Sequence, residues 1–132
     1  MAKHNKIGKI GEEIAAEFLK NKNYSLIKKD YKTYTGQIDI ITKPPYQNKI
    51  LFWRRKERPL VFVEVKTRTR EKFGSPEENI NYKKKQKLIK NGQSYTTFNN
   101  HDGPWRIDAI CIVLKNNNTP KRINHYKNIT GF

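Results

Sequence analysis

The sequence predicts a single mixed α/β domain, spanning residues 1–132, with the element order αβββαββ. Two helical stretches are interleaved with five short β-prone runs, so helices and strands are expected to share one core. A chain of 132 residues is long enough for one domain with a hydrophobic core and too short for two. Its apolar fraction is only 35%, but seven Tyr, six Phe and two Trp supply large core side chains.

Two helices are predicted, over 6–21 and from about Glu77 to Tyr95. The first has apolar residues at three- and four-residue spacing, as expected for a helix with one apolar face. The members of this stripe are Ile7, Ile10, Ile14, Ala15, Phe18 and Leu19. The second follows Ser75-Pro76, which is typical of a helix start, and it carries the lysine cluster YKKKQKLIK.

Five strands are predicted from β-prone runs. The first two are YSLIKKDYKT and QIDIIT, joined by a turn at Thr35-Gly36, and the third is LVFVEVKT. The last two are WRIDAICIVLK and RINHYKN, with NNNTPK as the turn between them. The second and third strands are linked by an extended, proline-containing insertion at 43–59, which has room for a short strand from Ile50 to Trp53.

Basic residues dominate the composition. The chain has 28 Lys plus Arg against 12 Asp plus Glu, which gives a net charge of +16. Such an excess favours a polyanionic partner, because neutralising phosphates releases condensed counterions. Nucleic acid is the favoured partner, with an anionic membrane and a simple bias toward Lys, Asn and Ile as the alternatives. We expect no membrane association, because the sequence contains no Trp-anchored amphipathic basic helix.

The sequence carries no signal for export or membrane insertion. Uninterrupted apolar runs stay far below the length of a spanning helix, and the N-terminal stretch lacks the apolar core of a signal peptide. The single cysteine, Cys111, can form no internal disulfide and is expected to be a buried thiol. We therefore expect a cytoplasmic protein.

Three acidic residues are candidates for a metal site. Asp39 lies in QIDII, Glu64 lies in FVEVK, and Glu12 borders the apolar stripe of the first helix. If the second and third strands pair, Asp39 and Glu64 lie side by side near the strand ends. Such carboxylates suit Mg²⁺ or Mn²⁺, which take oxygen ligands and keep waters beside a phosphate. Lys66 shares a strand face with Glu64 and would serve the attacking water or stabilise charge on the phosphate.

Each of these residues also has an ordinary structural explanation. Glu64 and Lys66 could be a solvated pair on an amphipathic strand, and Asp39 the polar half of an alternating one. Glu12 could be a charge favoured by the dipole at a helix N-terminus. The order of an acid on a helix, Asp on a strand and Glu-x-Lys on the next strand is more specific than any single residue.

This order resembles the PD-(D/E)xK nuclease superfamily. More closely, the chain resembles the bacterial YraN-type family, which is similar to archaeal Holliday-junction resolvases. The matching stretches occur in the family's order and are GKIGEEIAAEFL, GQIDII, LVFVEVKTR, KFGSPEENI, KKQKL, WRIDAICI and INHYKNITGF. The resemblance implies a restriction-endonuclease-like fold, in which helices flank a central mixed β-sheet. It also implies that Glu12, Asp39, Glu64 and Lys66 occupy positions that serve metal binding and phosphodiester cleavage in the resolvases.

The chain departs from the family pattern in two places. Gln37 stands where the family usually has Glu, so this side chain cannot supply charge to a metal. The 43–59 insertion is longer than the family's usual link. Its FWRRKER run could stack on unpaired bases while its arginines hold phosphate, or it could form a packed hairpin with a solvated tip. The family's late Arg-x-Asp falls on Arg106 and Asp108, where we expect a salt bridge or support of the site.

The preferred function is that of a Mg²⁺- or Mn²⁺-dependent endonuclease that hydrolyses phosphodiester bonds of DNA, including branched or junction DNA. The alternatives are a non-catalytic, basic nucleic-acid-binding protein that keeps the nuclease fold, and an RNA-associated basic protein. A homodimer would suit symmetric cutting of a junction. The residues expected to contact nucleic acid are Arg54, Arg55, Arg68, Arg70, Lys84 and Lys87.

Overall fold

The computed structural model describes residues 3–46, 57–71 and 74–131. Its helices and strands follow the predicted order, with one 3₁₀ helix added before the second α-helix. The elements are α1 (Lys3–Asn21), β1 (Ser25–Lys32), β2 (Gln37–Lys43), β3 (Leu60–Arg68), the 3₁₀ helix (Pro76–Asn79), α2 (Tyr82–Phe98), β4 (Trp105–Leu114) and β5 (Pro120–Tyr126). The fold is therefore α/β, as predicted.

The five strands form one sheet in the order β1-β2-β3-β4-β5. Three neighbouring pairs are antiparallel, whereas β3 and β4 run parallel in register from Leu60↔Trp105 to Arg68↔Val113. A parallel pair needs a crossover connection, which the 3₁₀ helix and α2 supply here. This mixed sheet with helices is consistent with the restriction-endonuclease-like fold that the family resemblance implies.

Each face of the sheet has its own hydrophobic cluster. Helix α1 covers one face, where Ala15, Ala16 and Leu19 pack against alternate residues of β3 and β4. Helix α2 covers the other face, where Leu88 packs with Phe62 and its neighbours. Because both faces of β3 and β4 are covered, these strands are almost continuously apolar rather than alternating. The predicted apolar stripe of α1 is confirmed, since all six of its members belong to the first cluster.

The second helix begins at Tyr82, so the prediction of a start near Glu77 is wrong. Ser75 makes no capping hydrogen bond through its side chain, and Pro76 opens a 3₁₀ helix that ends at Asn79. The cap of α2 is instead Asn81, whose side chain accepts a hydrogen bond from the backbone N–H of Lys84 at 2.9 Å. Local composition marks a helix start correctly but does not distinguish a 3₁₀ turn from an α-helix.

Cys111 is buried, as predicted, and burial raises the pKa of its thiol to about 12. Neither helix of the described ranges combines the length and apolar character that a membrane span requires. The strand expected at 50–53 and the arginines Arg54 and Arg55 lie outside the described residues.

Candidate functional site

Strands β2 and β3 separate at the position of the predicted Asp-Glu pair. Their antiparallel register ends at Ile40↔Val63, and Asp39 and Glu64 are the next residues on the two strands. The backbone N–H of Val65 donates to Oδ2 of Asp39 at 2.9 Å, so a side chain takes the hydrogen bond that a strand partner would otherwise accept. Asp39 is therefore fixed by the main chain of β3.

The carboxyl groups of Asp39 and Glu64 are in contact, as the strand pairing predicted. Burial raises the pKa of Asp39 to about 9, together with a hydrogen bond to the Glu64 carboxyl group and the negative charge of that group. The Val65 N–H opposes this rise but does not cancel it. Glu64 is only 5% exposed. At neutral pH the pair therefore holds a proton in place of a second negative charge.

A lysine from α2 lies against this pair. The Nζ atom of Lys84 is 2.8 Å from Oε2 of Glu64. This contact is an ion pair, and it places a positive charge directly beside the buried carboxyl pair.

Glu12 belongs to a second, adjacent pair of carboxyl groups. Burial raises the pKa of Glu12 to about 7, with further contributions from a hydrogen bond to Asp30 and from the negative charges of Asp30 and Glu64. The positive charge of Lys29 partly opposes this rise. The charge of Glu64 thus acts on Glu12, as expected if the helix lies above the pair, but the hydrogen bond of Glu12 is with Asp30.

Asp30 is a site residue that the sequence analysis missed. It adopts the left-handed conformation, with φ of 52°, at the point on β1 between the pairs Lys29↔Ile40 and Tyr31↔Ile38. Its Oδ1 accepts a hydrogen bond from Nε2 of Gln37 at 3.0 Å. The turn at Thr35-Gly36 fixes this hairpin register, so extending the register from the turn would have placed Asp30 opposite Asp39. Gln37 holds Asp30 through this hydrogen bond without adding charge.

The carboxyl groups of Asp39 and Glu64 are a donor set that suits a hard divalent cation. Among the described residues, no three His, Cys, Asp or Glu side chains lie close enough together to hold a metal ion. Asp39 and Glu64 alone fit Mg²⁺ or Mn²⁺, because Mg²⁺ uses one or two carboxylates and completes its shell with waters. Glu12, predicted as a third ligand, contacts Asp30 and lies near enough to Glu64 for their charges to interact, so its role as a ligand stays a prediction.

The predicted basic residues differ in their surroundings. Lys66 is half-buried and lies two residues beyond Glu64 on the same face of β3. Arg68 donates from Nη2 to Oδ1 of Asn79 at 2.9 Å, while Arg70 is exposed. Lys87 is exposed on α2 and passes next to the turn glycine Gly36. Lys84, expected to contact nucleic acid, pairs here with Glu64.

Asn91 is a second residue that the sequence analysis did not select. It is 3% exposed and lines a small cavity between the sheet and α2 that both Asp39 and Glu64 reach. Its Oδ1 accepts from the hydroxyl of Thr35 at 2.7 Å, and its Nδ2 donates to the carbonyl of Gln37 at 3.4 Å. Asn91 therefore connects the β1–β2 hairpin to α2 beside the carboxylate pair. Its signal in the sequence is a polar residue on the sheet-facing side of a helix.

Asp108 is part of a buried ion-pair network. Its two oxygens accept from Arg106 at 2.9 and 3.1 Å, and Oδ2 lies 2.8 Å from Nε2 of His125. The backbone N–H of Asn128 also donates to Oδ1 at 2.9 Å. Burial pushes the pKa of Asp108 upward, but hydrogen bonds from His125, Arg106 and Asn128 hold it below its ordinary value. The predicted salt bridge with Arg106 is confirmed, and Asp108 fastens β4 to β5.

The chain is similar to proteins of a known family. A family described as "Uncharacterised protein family UPF0102" matches residues 11–112. The chain belongs to the UPF0102 family. A UPF0102 protein of Caldanaerobacter subterraneus is 38% identical over 132 residues, covering 97% of this chain and 98% of the relative. UPF0102 proteins of Alkaliphilus oremlandii and Clostridioides difficile are each 36% identical and cover 95% and 92% of this chain and 97% and 93% of their own length.

The UPF0102 match agrees with the YraN-type resemblance found in the sequence. It extends from Gly11 at the start of the helix motif to Ile112 in β4, and so it includes both carboxyl pairs and Lys84. The relatives are named only as members of the family, so their names carry no activity to this chain.

Proposed function

We propose that this UPF0102 protein is a metal-dependent endonuclease of PD-(D/E)xK type that hydrolyses phosphodiester bonds of DNA, including branched or junction DNA. The observation that carries the proposal is the contact between the buried carboxyl groups of Asp39 and Glu64. Two such groups repel when both are ionised, and burial makes each charge more costly. Strongly perturbed carboxyl pairs of this kind are concentrated at functional sites.

A divalent cation would remove this cost. Asp39 and Glu64 would hold Mg²⁺ or Mn²⁺ through their carboxylate oxygens, which are the ligands these ions prefer. When bound, the ion would polarise a phosphodiester and lower the pKa of a bound water. The burial of Glu64 and its contact with the Asp39 carboxyl group support this assignment.

The chain's own residues would prepare the site for a phosphate. Asp39 must lose the proton that it holds at neutral pH, while the Val65 N–H keeps its carboxylate in place. Lys66, on the same face of β3, would stabilise negative charge on the phosphate or orient the attacking water. Lys84 would leave Glu64 as the cation arrives and become available to a non-bridging phosphate oxygen.

The charge of the chain supports a nucleic-acid substrate. A net charge of +16 would attract DNA over long distances and make binding strongly dependent on salt. Arg68, Arg70 and Lys87 would contact backbone phosphates, which position a nucleic acid without reading its sequence. A DNA substrate also suits a cytoplasmic bacterial protein, and cutting a junction symmetrically would suit a homodimer, which light scattering would detect.

The test is cleavage of junction, flap and single-stranded DNA, with matched RNA, in Mg²⁺ or Mn²⁺. We expect the wild-type protein to cut DNA, and we expect Asp39→Asn and Glu64→Gln to lose cutting by at least about a hundredfold while still binding DNA in EDTA. Asp102→Asn, at an exposed position, is the matched control and should cut normally. Cleavage that survives in both site variants would reject the assignment of these residues.

The second candidate function is that of a basic nucleic-acid-binding protein without catalysis. The observation that favours it is the Lys84–Glu64 ion pair, because a lysine already supplies positive charge to the pair. The same experiment separates the two functions. DNA binding by the wild-type protein with no cleavage in either metal would establish the binding protein and exclude the nuclease.

A further inference from the structure

A groove with aromatic walls lies between the β1–β2 hairpin and the C-terminal half of α2. Its volume is about 310 Å³, which is in the range of small-ligand sites. Tyr31 and Tyr95 meet in it edge to face, with ring centroids 5.0 Å apart. The ring of Tyr95 also packs on that of Phe62 in the core, with ring centroids 5.3 Å apart. These contacts hold the inner part of the groove in a fixed arrangement.

The outer part of the groove presents aromatic rings to solvent. Tyr34 at the hairpin tip is 93% exposed, and Phe98 at the end of α2 is 68% exposed. Rings exposed to this degree contribute little to the core, and exposed apolar surface next to polar groups is typical of a binding site. Lys32 and Ser94 also line the groove, and none of its described lining residues is acidic.

The groove and the carboxylate pair are joined along α2. Lys84 contacts Glu64 near the start of the helix, and Asn91 ties the hairpin to its middle. Ser94 follows in the groove itself, about 15 Å from Lys84 along the helix axis at about 1.5 Å per residue. A nucleic-acid strand with its phosphate at the carboxylate pair would reach the groove within a few nucleotides.

We propose that this groove binds an unpaired nucleobase, which stacks between Tyr34 and Phe98 while Lys32 contacts an adjacent phosphate. Every base has a flat face that stacks on aromatic side chains, so such a site is tolerant of sequence. The groove is lined by a lysine and by no acidic residue among those described, so its charge suits a phosphate backbone better than an uncharged apolar partner. The placement of the groove a few nucleotides from a scissile phosphate rests on the proposed function, whereas the binding of a base in the groove does not.

The test measures binding in EDTA, where cleavage cannot contribute. Fluorescence anisotropy would compare labelled single-stranded DNA and RNA with a blunt duplex, together with single strands that carry one abasic position at successive sites. We expect Tyr34→Ala and Phe98→Ala each to weaken single-strand binding about tenfold and duplex binding by less than twofold. An abasic position should weaken binding by the wild-type protein and have no further effect in Tyr34→Ala.

Two controls separate stacking from a general loss of binding. Tyr82→Ala removes a ring that is 77% exposed in the first turn of α2, outside the groove, and should bind as the wild-type protein does. Tyr34→Phe keeps the ring and should retain affinity. Melting temperatures should match throughout, because the mutated rings are exposed.

Three outcomes would overturn the inference. The first is unchanged single-strand binding by Tyr34→Ala and Phe98→Ala, and the second is an equal loss of binding in the Tyr82→Ala control. The third is no binding of any oligonucleotide by the wild-type protein, a result that would favour a protein as the partner of the groove. A groove-dependent abasic effect without cleavage in metal would reject the nuclease function and keep this site. The opposite result is cleavage that is lost in Asp39→Asn, while Tyr34→Ala changes neither cleavage nor single-strand binding. That result would support the nuclease function and reject the groove site.

Discussion

The backbone N–H of Val65 donates to Oδ2 of Asp39 at 2.9 Å, across the point where β2 and β3 stop pairing. This bond holds an acidic side chain inside the opening of a sheet, next to a second buried acid at Glu64. The arrangement is costly for the folded chain, because the pKa of Asp39 rises to about 9 and its ionised form is disfavoured. Mutations at this site should therefore change stability in the opposite direction from mutations at an ordinary salt bridge.

Replacing Asp39 with Asn should stabilise the metal-free protein. The pKa of Asp39 is higher in the folded protein than its ordinary value of 3.8, so the group destabilises the fold increasingly as the pH rises above 3.8. At pH 7 Asp39 therefore opposes folding. Asn can accept from the Val65 N–H and donate to Glu64 without a charge. We expect Asp39→Asn to raise the free energy of unfolding by on the order of 1–2 kcal/mol in urea titrations. Asp102→Asn should change it little, and a loss of stability in Asp39→Asn would contradict this account.

Metal binding should release a proton. Because Asp39 holds its proton up to a pH of about 9, a cation that binds at pH 7 must displace it. Calorimetric titration of Mn²⁺ in two buffers with different ionisation enthalpies should therefore yield about one proton per ion at pH 7. Affinity should increase as the pH rises from 6 toward 9. A heat of binding that is the same in both buffers would exclude Asp39 as the displaced acid.

Lys84→Gln should make the fold more dependent on divalent cations. The variant removes the cation at 2.8 Å from Glu64, which leaves a buried carboxyl pair without its counter-charge. We expect a loss of about 1–2 kcal/mol in metal-free buffer. Addition of Mg²⁺ should then raise the melting temperature more in Lys84→Gln than in the wild-type protein, because the ion no longer competes with a lysine. Lys83→Gln, at an exposed neighbour, should behave as the wild type does.

The strand pattern predicted the carboxylate pair because alternation and register are properties of the sequence. Asp39 and Glu64 adjoin the paired apolar residues Ile40 and Val63 on adjacent strands, so their contact depends only on which strands pair and in which register. The contacts of Lys84 and Asn91 beside this pair could not be predicted in this way. Their contacts depend on how α2 lies across the sheet, which is set by tertiary packing and not by helical periodicity.

Local composition was also insufficient at the start of α2. Ser75 and Pro76 carry the chemistry of a helix start, and the chain does begin a helix there, but it is a single 3₁₀ turn. What fixes this turn is remote in sequence, since Arg122 of β5 binds Glu77 with its two terminal nitrogens at 2.8 and 2.9 Å. Tyr126 also donates to Glu77, at 2.6 Å. A contact between residues so far apart in the chain leaves no local pattern to read.

The Glu77–Arg122 pair should stabilise the fold at neutral pH and lose its effect in acid. Hydrogen bonds from Arg122 lower the pKa of Glu77 to about 2, below its ordinary value of 4.5. A lowered pKa means that the contribution is complete above about pH 4.5 and is lost as the pH falls toward 2. We expect Glu77→Gln to cost about 1–2 kcal/mol at pH 7 and almost nothing near pH 2. Glu78→Gln, at the exposed adjacent position, is the control, and a pH-independent difference would contradict the assignment.

Two glycines of α1 should respond in opposite directions to the same substitution. A methyl group on Gly11 would overlap Oγ1 of Thr67 and lie 2.8 Å from its Cβ, so the helix could not approach β3 as it does. A methyl group on Gly8 would meet no described atom within 4 Å. Because Ala favours a helix over Gly by about 1 kcal/mol, Gly8→Ala should raise the free energy of unfolding by up to that amount. Gly11→Ala should lower it by about 2–3 kcal/mol through overpacking. Equal effects of the two substitutions in urea titrations would show that α1 does not pack on β3 through Gly11.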